Sequence, residues 1–375
     1  MTDVQIVGAG ITGLCTAYWL TKAGKSVTIV EQGRVPNPTA SSSDHHRLIR
    51  MFYGARSGYA ARMPDAYAAW RAMWADLGPE QRYYAETGML ALCQEKGDYT
   101  DLSRAAMEAL DLPYEQIDSM AARDQRFPFL EPSYVAYGLV AEGGALMAET
   151  ILVDLALWLR QAVLNIIELS PVSAVDTQTA TVTLSSGQSL SAEQVLIAAG
   201  VGLPHLTPWL DVPLAPWRTV ILYATPPQDL AAAWAAAPCW THLGGTDNDL
   251  WGMPPLRGLP MKLGDGSMGR KDADDTDRTM TPDEMVRMRA NYAPRFRRAE
   301  EFQICWGQAN YWTLAPNADF VLAQQDRAFA LSACSGHGFK FGALTGQDVA
   351  EAMTEQAPVA EVARRMAAPS PQHAN

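Results

Sequence analysis

The sequence predicts a two-domain α/β fold, in which a nucleotide-binding domain built on a parallel sheet carries an inserted α+β domain of mixed β-sheet. Three observations predict it. The first thirty-one residues run strand, glycine turn, helix, strand, acid. Buried strands of the same kind return in the middle of the chain and near its end. At 375 residues, length alone suggests about two domains, each large enough to bury a core.

The opening unit is the most explicit. Ile6-Val7 ends a short apolar strand, and Gly8-Ala9-Gly10-Ile11-Thr12-Gly13 follows. A helix with Leu14, Ala17 and Leu20 leads through Gly24 to a second strand, Ser26 to Val30, ending at Glu31. Gly8 permits the tight turn, Gly10 lets the backbone approach a pyrophosphate, and Gly13 lets the helix pack closely on the strand. The helix N-terminus offers N–H groups and partial positive charge to phosphates. Glu31 stands where a carboxylate takes the hydroxyls of an adenosine ribose. This is a Rossmann-like site for an ADP-containing dinucleotide.

Residues 36–47 are rich in Pro and Ser and predict a polar loop. Tyr59 to Leu77 predicts a helix, with Tyr67, Trp70 and Trp74 as a packing stripe. Residues 81–146 mix short strands and helices, and residues 148–163 predict an amphipathic helix. Val175 to Leu190 predicts a hairpin. Gln194 to Gly200 predicts a buried strand beside a cofactor. Residues 214–314 hold strand-like runs and most of the tryptophans. Phe329 to Cys334 predicts a strand that enters Ser335-Gly336-His337-Gly338-Phe339-Lys340-Phe341-Gly342, with a helix from Ala343. The expected nucleotide-binding domain is therefore discontinuous, over 1–80, 146–212 and 316–375. The substrate-binding domain takes 81–145 and 213–315, and 367–375 is a disordered tail.

Composition narrows the function. Hydrophobic residues at 48% and charged residues at 19% suit a soluble globular chain. A net charge of −12 argues against a nucleic-acid partner. No uncharged apolar run reaches the ~18 residues that span a bilayer: Leu152 to Leu169 is interrupted by Asp154, Arg160 and Glu168. The first strand begins almost at Met1, which argues against a signal peptide. The five cysteines, Cys15, Cys93, Cys239, Cys305 and Cys334, form no metal or redox spacing, and a reducing cytoplasm is the expected compartment.

A second glycine pattern, Gly264-Asp265-Gly266-Ser267-Met268-Gly269, has the wrong context for a dinucleotide site. No clear Val/Ile strand precedes it, and a polar run from Arg270 to Asp275 follows where an apolar helix is required.

Four stretches together resemble the D-amino-acid-oxidase (DAO) superfamily of FAD oxidoreductases, nearest its monomeric sarcosine oxidase and N-methyltryptophan oxidase branch. They are Gly8 to Glu31; Arg47-Leu48-Ile49-Arg50-Met51-Phe52-Tyr53-Gly54; Trp251-Gly252-Met253-Pro254 with Met261-Lys262-Leu263-Gly264; and Thr313, Pro316-Asn317 and Asp319-Phe320 with Ser335 to Lys340. The resemblance implies FAD held by Gly8, Gly10, Ile11, Thr12, Gly13, Glu31, Gln32, Ser43, Arg47, Val172, Ala199, Gly200, Gly336, His337, Gly338, Phe339 and Lys340. It implies a substrate pocket of Arg50, Trp251, Trp312 and Lys340. Arg50 and Lys340 would grip an amino-acid carboxylate, a task that suits a planar guanidinium and an ammonium. Lys262 would promote the reaction with oxygen by stabilising developing charge. His337 would contact the flavin or hold its loop, and Cys334 would be a small buried residue.

The reaction implied is oxidation of a secondary or N-substituted amino acid by hydride transfer to flavin, giving an imine, then hydrogen peroxide. The partners are that small molecule and O2, in a monomer or small homo-oligomer. Alternatives are an oxidase or dehydrogenase of a cyclic or primary amino acid, and a flavin-binding protein without turnover. Departures from the family bear on the substrate. Asn310 aligns with the cysteine that links flavin covalently, Cys305 lies five residues upstream, and non-covalent FAD is expected. A family histidine falls on Ser43, unless the His45-His46 pair has shifted register; Gly266 stands at another family histidine, and Trp251 replaces an active-site tyrosine. Trp217, Trp240, Trp251 and Trp312 are candidate walls for a bulky substrate, although Trp is commonly a core residue.

Overall fold

The computed structural model describes residues 2–131, 135–162, 165–244, 249–271 and 277–369. The opening strand Thr2–Val7 lies at the centre of an eight-stranded sheet, flanked in parallel by Val27–Val30 and Ser189–Ile197. Asn165–Ile167 extends the parallel run beyond Val27–Val30, and Ala328–Ser332 extends it beyond the end of Ser189–Ile197. Helices Ile11–Lys22 and Gly342–Met353 pack together on this sheet and bury Leu14, Cys15, Ala17, Leu344 and Val349.

The hairpin and the buried strand expected around residue 190 share one strand. Ser189–Ile197 pairs antiparallel with Thr181–Leu184 at its start, then turns inward to pair with Thr2–Val7. Its first residues are partly exposed and Val195 to Ile197 are buried, so the change of pattern marked a change of neighbours within one strand.

The second sheet has nine strands and is antiparallel apart from the Cys239–Leu243 and Met89–Cys93 pair. Its longest pair, Ala215–Thr225 and Gln303–Leu314, stands at one edge and is followed inward by Met261–Asp265 and then Leu250–Met253. A separate apolar core lies behind it, around Trp234, Trp240, Tyr292 and Phe296. A three-stranded sheet of Arg47–Arg50, Gly143–Leu146 and Tyr84–Glu86 joins segments assigned by sequence to different domains.

The expected helix at Tyr59 to Leu77 is two helices, Ser57–Ala61 and Met63–Leu77, with Pro64 opening the second. Proline is favoured in a first turn, where its missing N–H costs nothing. The stripe is core, as expected: Tyr67, Trp70 and Trp74 are buried. One member does more, since Trp70 Nε1 donates to the Lys340 carbonyl at 2.8 Å. The amphipathic helix is Ala148–Gln161; residue 163 lies outside the described residues. The expected disordered tail starts too early: Ala367 ends the helix Val359–Ala367, and Ala368 is buried against Gly58. Residues 370–375 of that tail lie outside the described residues. Among the described residues, no helix is long and apolar enough to cross a membrane.

Candidate active site

One cavity of about 1220 Å³ runs from the carboxyl ends of the parallel strands to one face of the nine-stranded sheet. Ligands of open α/β sheets bind at those strand ends, and this volume exceeds that of one drug-sized ligand. Gly8 follows Thr2–Val7, Glu31 follows Val27–Val30, Ala198 to Gly200 follow Ser189–Ile197, and Ala333 to Ser335 follow Ala328–Ser332.

The glycine turn has the shape of a phosphate cradle. Gly8 has φ +104°, and a Cβ there would lie 2.5 Å from the Ala198 oxygen. Both facts demand glycine. The helix begins at Ile11 with no side-chain cap from Gly10, although the Ile11 N–H donates to Ser42 Oγ at 2.9 Å. Glu31 is 5% exposed. Its Oε2 accepts from the Ala9 N–H at 2.7 Å, and its Oε1 accepts from the Gly33 N–H at 3.0 Å and Asn37 Nδ2 at 2.8 Å. The carboxylate is thereby fixed at the cavity wall with one oxygen singly bonded. The residues present fit an ADP moiety.

The Gly336-His337-Gly338 turn closes the other side. His337 Nε2 lies 3.0 Å from the Ala318 oxygen and 3.3 Å from Arg56 Nη1, and its ring stacks on Phe320. Burial, then the nearby Lys340 and Arg56 charges, hold it well below the usual histidine range. A neutral, caged imidazole suits a structural role.

Lys340 is buried, lines the cavity and has no protein acceptor for its ammonium among the described residues. Burial pushes its pKa well down, and the Arg50, Arg56 and Arg47 charges push the same way. Such a group gains from an anion. Arg50 lines the same cavity; its guanidinium donates to the Phe52 oxygen at 2.8 Å and to the Tyr99 hydroxyl. It also lies 5.1 Å from the Tyr53 ring centroid. Two aromatic rings and a carbonyl thus fix its direction without neutralising it.

The sheet face across the cavity follows from strand alternation, because every second residue points the same way. In Met261–Asp265, Lys262 stands opposite Tyr223 on one side and Met253 on the other. Lys262 is 1% exposed. Its Nζ donates to the His46 oxygen at 2.9 Å and to Asp44 Oδ2. Asp44 is a buried hub that also accepts from Arg47, from the Tyr223 hydroxyl at 2.5 Å and from the His45 N–H at 2.8 Å. Burial would raise the Asp44 pKa, but the Lys262 and Arg47 charges and the bonds from Lys262 and Tyr223 outweigh it and hold the group ionised. Burial brings Lys262 down to about 8, and Asp44 opposes that fall.

All the residues expected in the site line this cavity except Gly13 and Ser43. Gly13 sits against the Gly8 carbonyl, the close packing expected of it. Ser43 does not reach the cavity: its carbonyl accepts from Arg47 at 3.2 Å, and that bond turns it into a support for the arginine. The neighbouring pair does not replace it, since His46 is fully buried and His45 faces Glu149. Trp217, Trp251 and Trp312 line the cavity, whereas Trp240 belongs to the core with Trp234 and Phe296. Asn310 lines the cavity and exposed Cys305 does not.

Sequence reasoning gave no role to Asp44, Tyr99, His242 or Asp249. Asp44 sat in a loop assigned only by its polarity, and the other three join the site by pairing and stacking across long stretches of chain. The reading of the second glycine pattern also needs correction. A strand does carry it, Met261–Asp265, and Arg270–Lys271 is a short strand; the strand was missed because Gly264 and Lys262 interrupt its apolar run. No helix follows directly: a 3-10 turn, Gly266–Met268, intervenes, and the run at 272–275 lies outside the described residues.

A family model described as FAD dependent oxidoreductase (DAO) matches residues 3–352. An N-methyl-L-tryptophan oxidase of Yersinia pestis (strain Pestoides F) is 24% identical over 364 residues, covering 92% of this chain and 93% of that protein. Among solved structures, L-proline dehydrogenase from P. horikoshii has a TM-score of 0.81 at 16% identity, covering 96% of this chain and 95% of its own. NikD, an unusual amino acid oxidase essential for nikkomycin biosynthesis, has a TM-score of 0.78 at 18% identity, covering 98% of both chains. At these identities the solved structures share the fold.

Proposed function

The chain belongs to the DAO family of FAD-dependent oxidoreductases, and from that premise we propose that it oxidises a secondary or N-substituted amino acid and passes the electrons to oxygen. The observation that carries the proposal is the pairing of Lys340, a buried amine with no acceptor among the described residues, with Arg50 in the cavity that begins at the Gly8 turn. Bound FAD supplies the two-electron acceptor for the substrate C–H bond and the route of those electrons to oxygen. Arg50 and Lys340 bind the substrate carboxylate and orient its amine. Lys262, on the opposite sheet face, offers a fixed cation to charge developing on oxygen.

The segments 1–80, 146–212 and 316–375 are proposed to hold the cofactor, and 81–145 with 213–315 the substrate. The cofactor is held without a covalent bond, because an amide, Asn310, stands at the linking position. Five cysteines without a disulfide fit a cytoplasmic setting.

The test is peroxide release in air from a panel of N-methyl, cyclic and aromatic amino acids, with acid precipitation of the yellow protein alongside. At least one compound should yield peroxide and bleach the flavin anaerobically, and the acid pellet should be colourless. A panel that never bleaches the flavin overturns the proposed activity, and a yellow pellet overturns non-covalent binding.

A pH dependence follows from the buried pair. Lys262 is charged below about pH 8 and neutral above it, so the oxygen reaction should fall as pH rises through that region. Asp44→Asn removes the neighbour that favours the charged form, while Arg47 remains to oppose it. The falling limb should therefore move to lower pH by roughly 1–3 units. Stopped-flow reoxidation across pH measures this, and an unmoved limb means that Asp44 does not set the charge of Lys262.

A further inference from the structure

The second glycine pattern has a use unrelated to nucleotides. Three cavity-lining side chains lie directly over its glycines. A Cβ on Gly264 would overlap the Trp251 indole, one on Gly266 the Asp249 carboxylate, and one on Gly269 the Trp217 indole. Strand register explains the first two. Trp251 is the cross-strand partner of Gly264, and the Gly266 N–H donates to the Asp249 carbonyl at 3.0 Å, two residues further along and so on the same face. Opposite residues share a sheet face, so each glycine gives its partner room to lie flat along the cavity wall.

Asp249 is the member with chemistry. Of the acidic side chains that line the cavity, Glu31 is engaged at the nucleotide end, which leaves Asp249 as the carboxylate of the substrate half among the described residues. About half of its side chain, 53%, is open. Its nearest cationic-type partner is His242 Nε2 at 3.4 Å. Burial, then the Arg50 charge, pushes His242 down to about 3, so that ring stays neutral. Among the described residues the other charges that act on Asp249 are Arg50, which favours its ionised form, and Asp265, which opposes it; the surrounding cavity walls desolvate the half-open carboxylate and raise it to about 6. His242 stacks on Tyr99 with ring centroids 3.5 Å apart, and the Tyr99 hydroxyl accepts from Arg50. One wall thus runs from the arginine to the carboxylate. The carboxylate also fills the space over Gly266, where the sequence aligns with a histidine of the family.

We infer that Asp249 is a specificity-determining residue that receives a cationic or N–H-donating group on the part of the substrate remote from its carboxylate, with Trp251 and Trp217 flanking the connecting chain. The inference rests on the proposed carboxylate site at Arg50 and Lys340. It names the substrate class as amino acids with a second nitrogen function, in place of purely apolar ones.

The test uses the FAD-loaded protein and ligands without an α-amine: ω-amino carboxylates from 3-aminopropanoate to 6-aminohexanoate, each paired with the alkanoate that has methyl in place of ammonium. Binding is read from the perturbation of the flavin absorbance spectrum. At one chain length or more the amino compound should bind about 10–100-fold more tightly than its methyl partner, the range of a charge-assisted hydrogen bond. Asp249→Asn and Asp249→Ser should abolish that preference while alkanoate binding stays within a few-fold of the parent. If alkanoates bind but no pair discriminates, or if discrimination survives both substitutions, the role of Asp249 is overturned and the carboxylate site stands. If no carboxylate of either series binds, the carboxylate site itself fails, and this inference fails with it.

Discussion

Lys262→Met should slow oxygen-driven reoxidation of the flavin by about 10²–10³-fold, the usual cost of removing one preorganised charge-stabilising group, while anaerobic reduction by substrate stays within a few-fold of the parent. The asymmetry follows from position. Lys262 lies on the nine-stranded sheet, whereas the groups proposed to hold the substrate, Arg50 and Lys340, come from other elements. Methionine keeps the length and apolar stem of lysine, so the substitution removes the cation with little change in packing. It also leaves Asp44 with Arg47, Tyr223 and the His45 N–H as partners, so the aspartate is not stranded. Stopped-flow measurement of the two half-reactions separates the effects. An oxygen reaction that keeps its rate would remove the role assigned to Lys262.

Arg50→Met should lower kcat/KM for the amino acid by roughly 10²–10³-fold, in the range for truncating one partner of a buried, hydrogen-bonded charge pair. The guanidinium is already oriented by the Phe52 carbonyl and the Tyr99 hydroxyl, so little ordering is needed when a carboxylate arrives. The informative comparison is the corresponding amine without a carboxylate. Its turnover, slow in the parent, should change by no more than a few-fold. Equal losses for both compounds would show that Arg50 supports the fold of the pocket rather than the grip on a carboxylate.

The nucleotide end was legible in the sequence because its logic is local. Gly8, Gly10, Gly13 and Glu31 lie within one strand–helix–strand unit, and their order along the chain is their order in space. The Ser335 to Lys340 turn was legible for the same reason, since a strand, a turn and a helix follow each other directly. Ser43 stands off the cavity because a loop residue can face either way, and the bonds that Arg47 makes to Ser41 and Ser43 decide which. Trp240 could not be told from Trp251 by type alone: both are large and half-polar, and only the register of Cys239–Leu243 against Leu250–Met253 sends one to the core and the other to the cavity.

By itself the sequence determined a strand–turn–helix that demands a dinucleotide, a family of flavin oxidoreductases and the identities of the cations, Arg50, Lys262 and Lys340. Tertiary structure alone decided what those cations face. Asp44 meets Lys262 across 218 positions of chain, and Asp249 lies over Gly266 because two strands pair in one register. A short motif fixes its geometry through backbone torsions, which sequence encodes directly. A cross-strand contact depends on which strands pair and on which face each residue falls, and those are settled only when the whole sheet has formed.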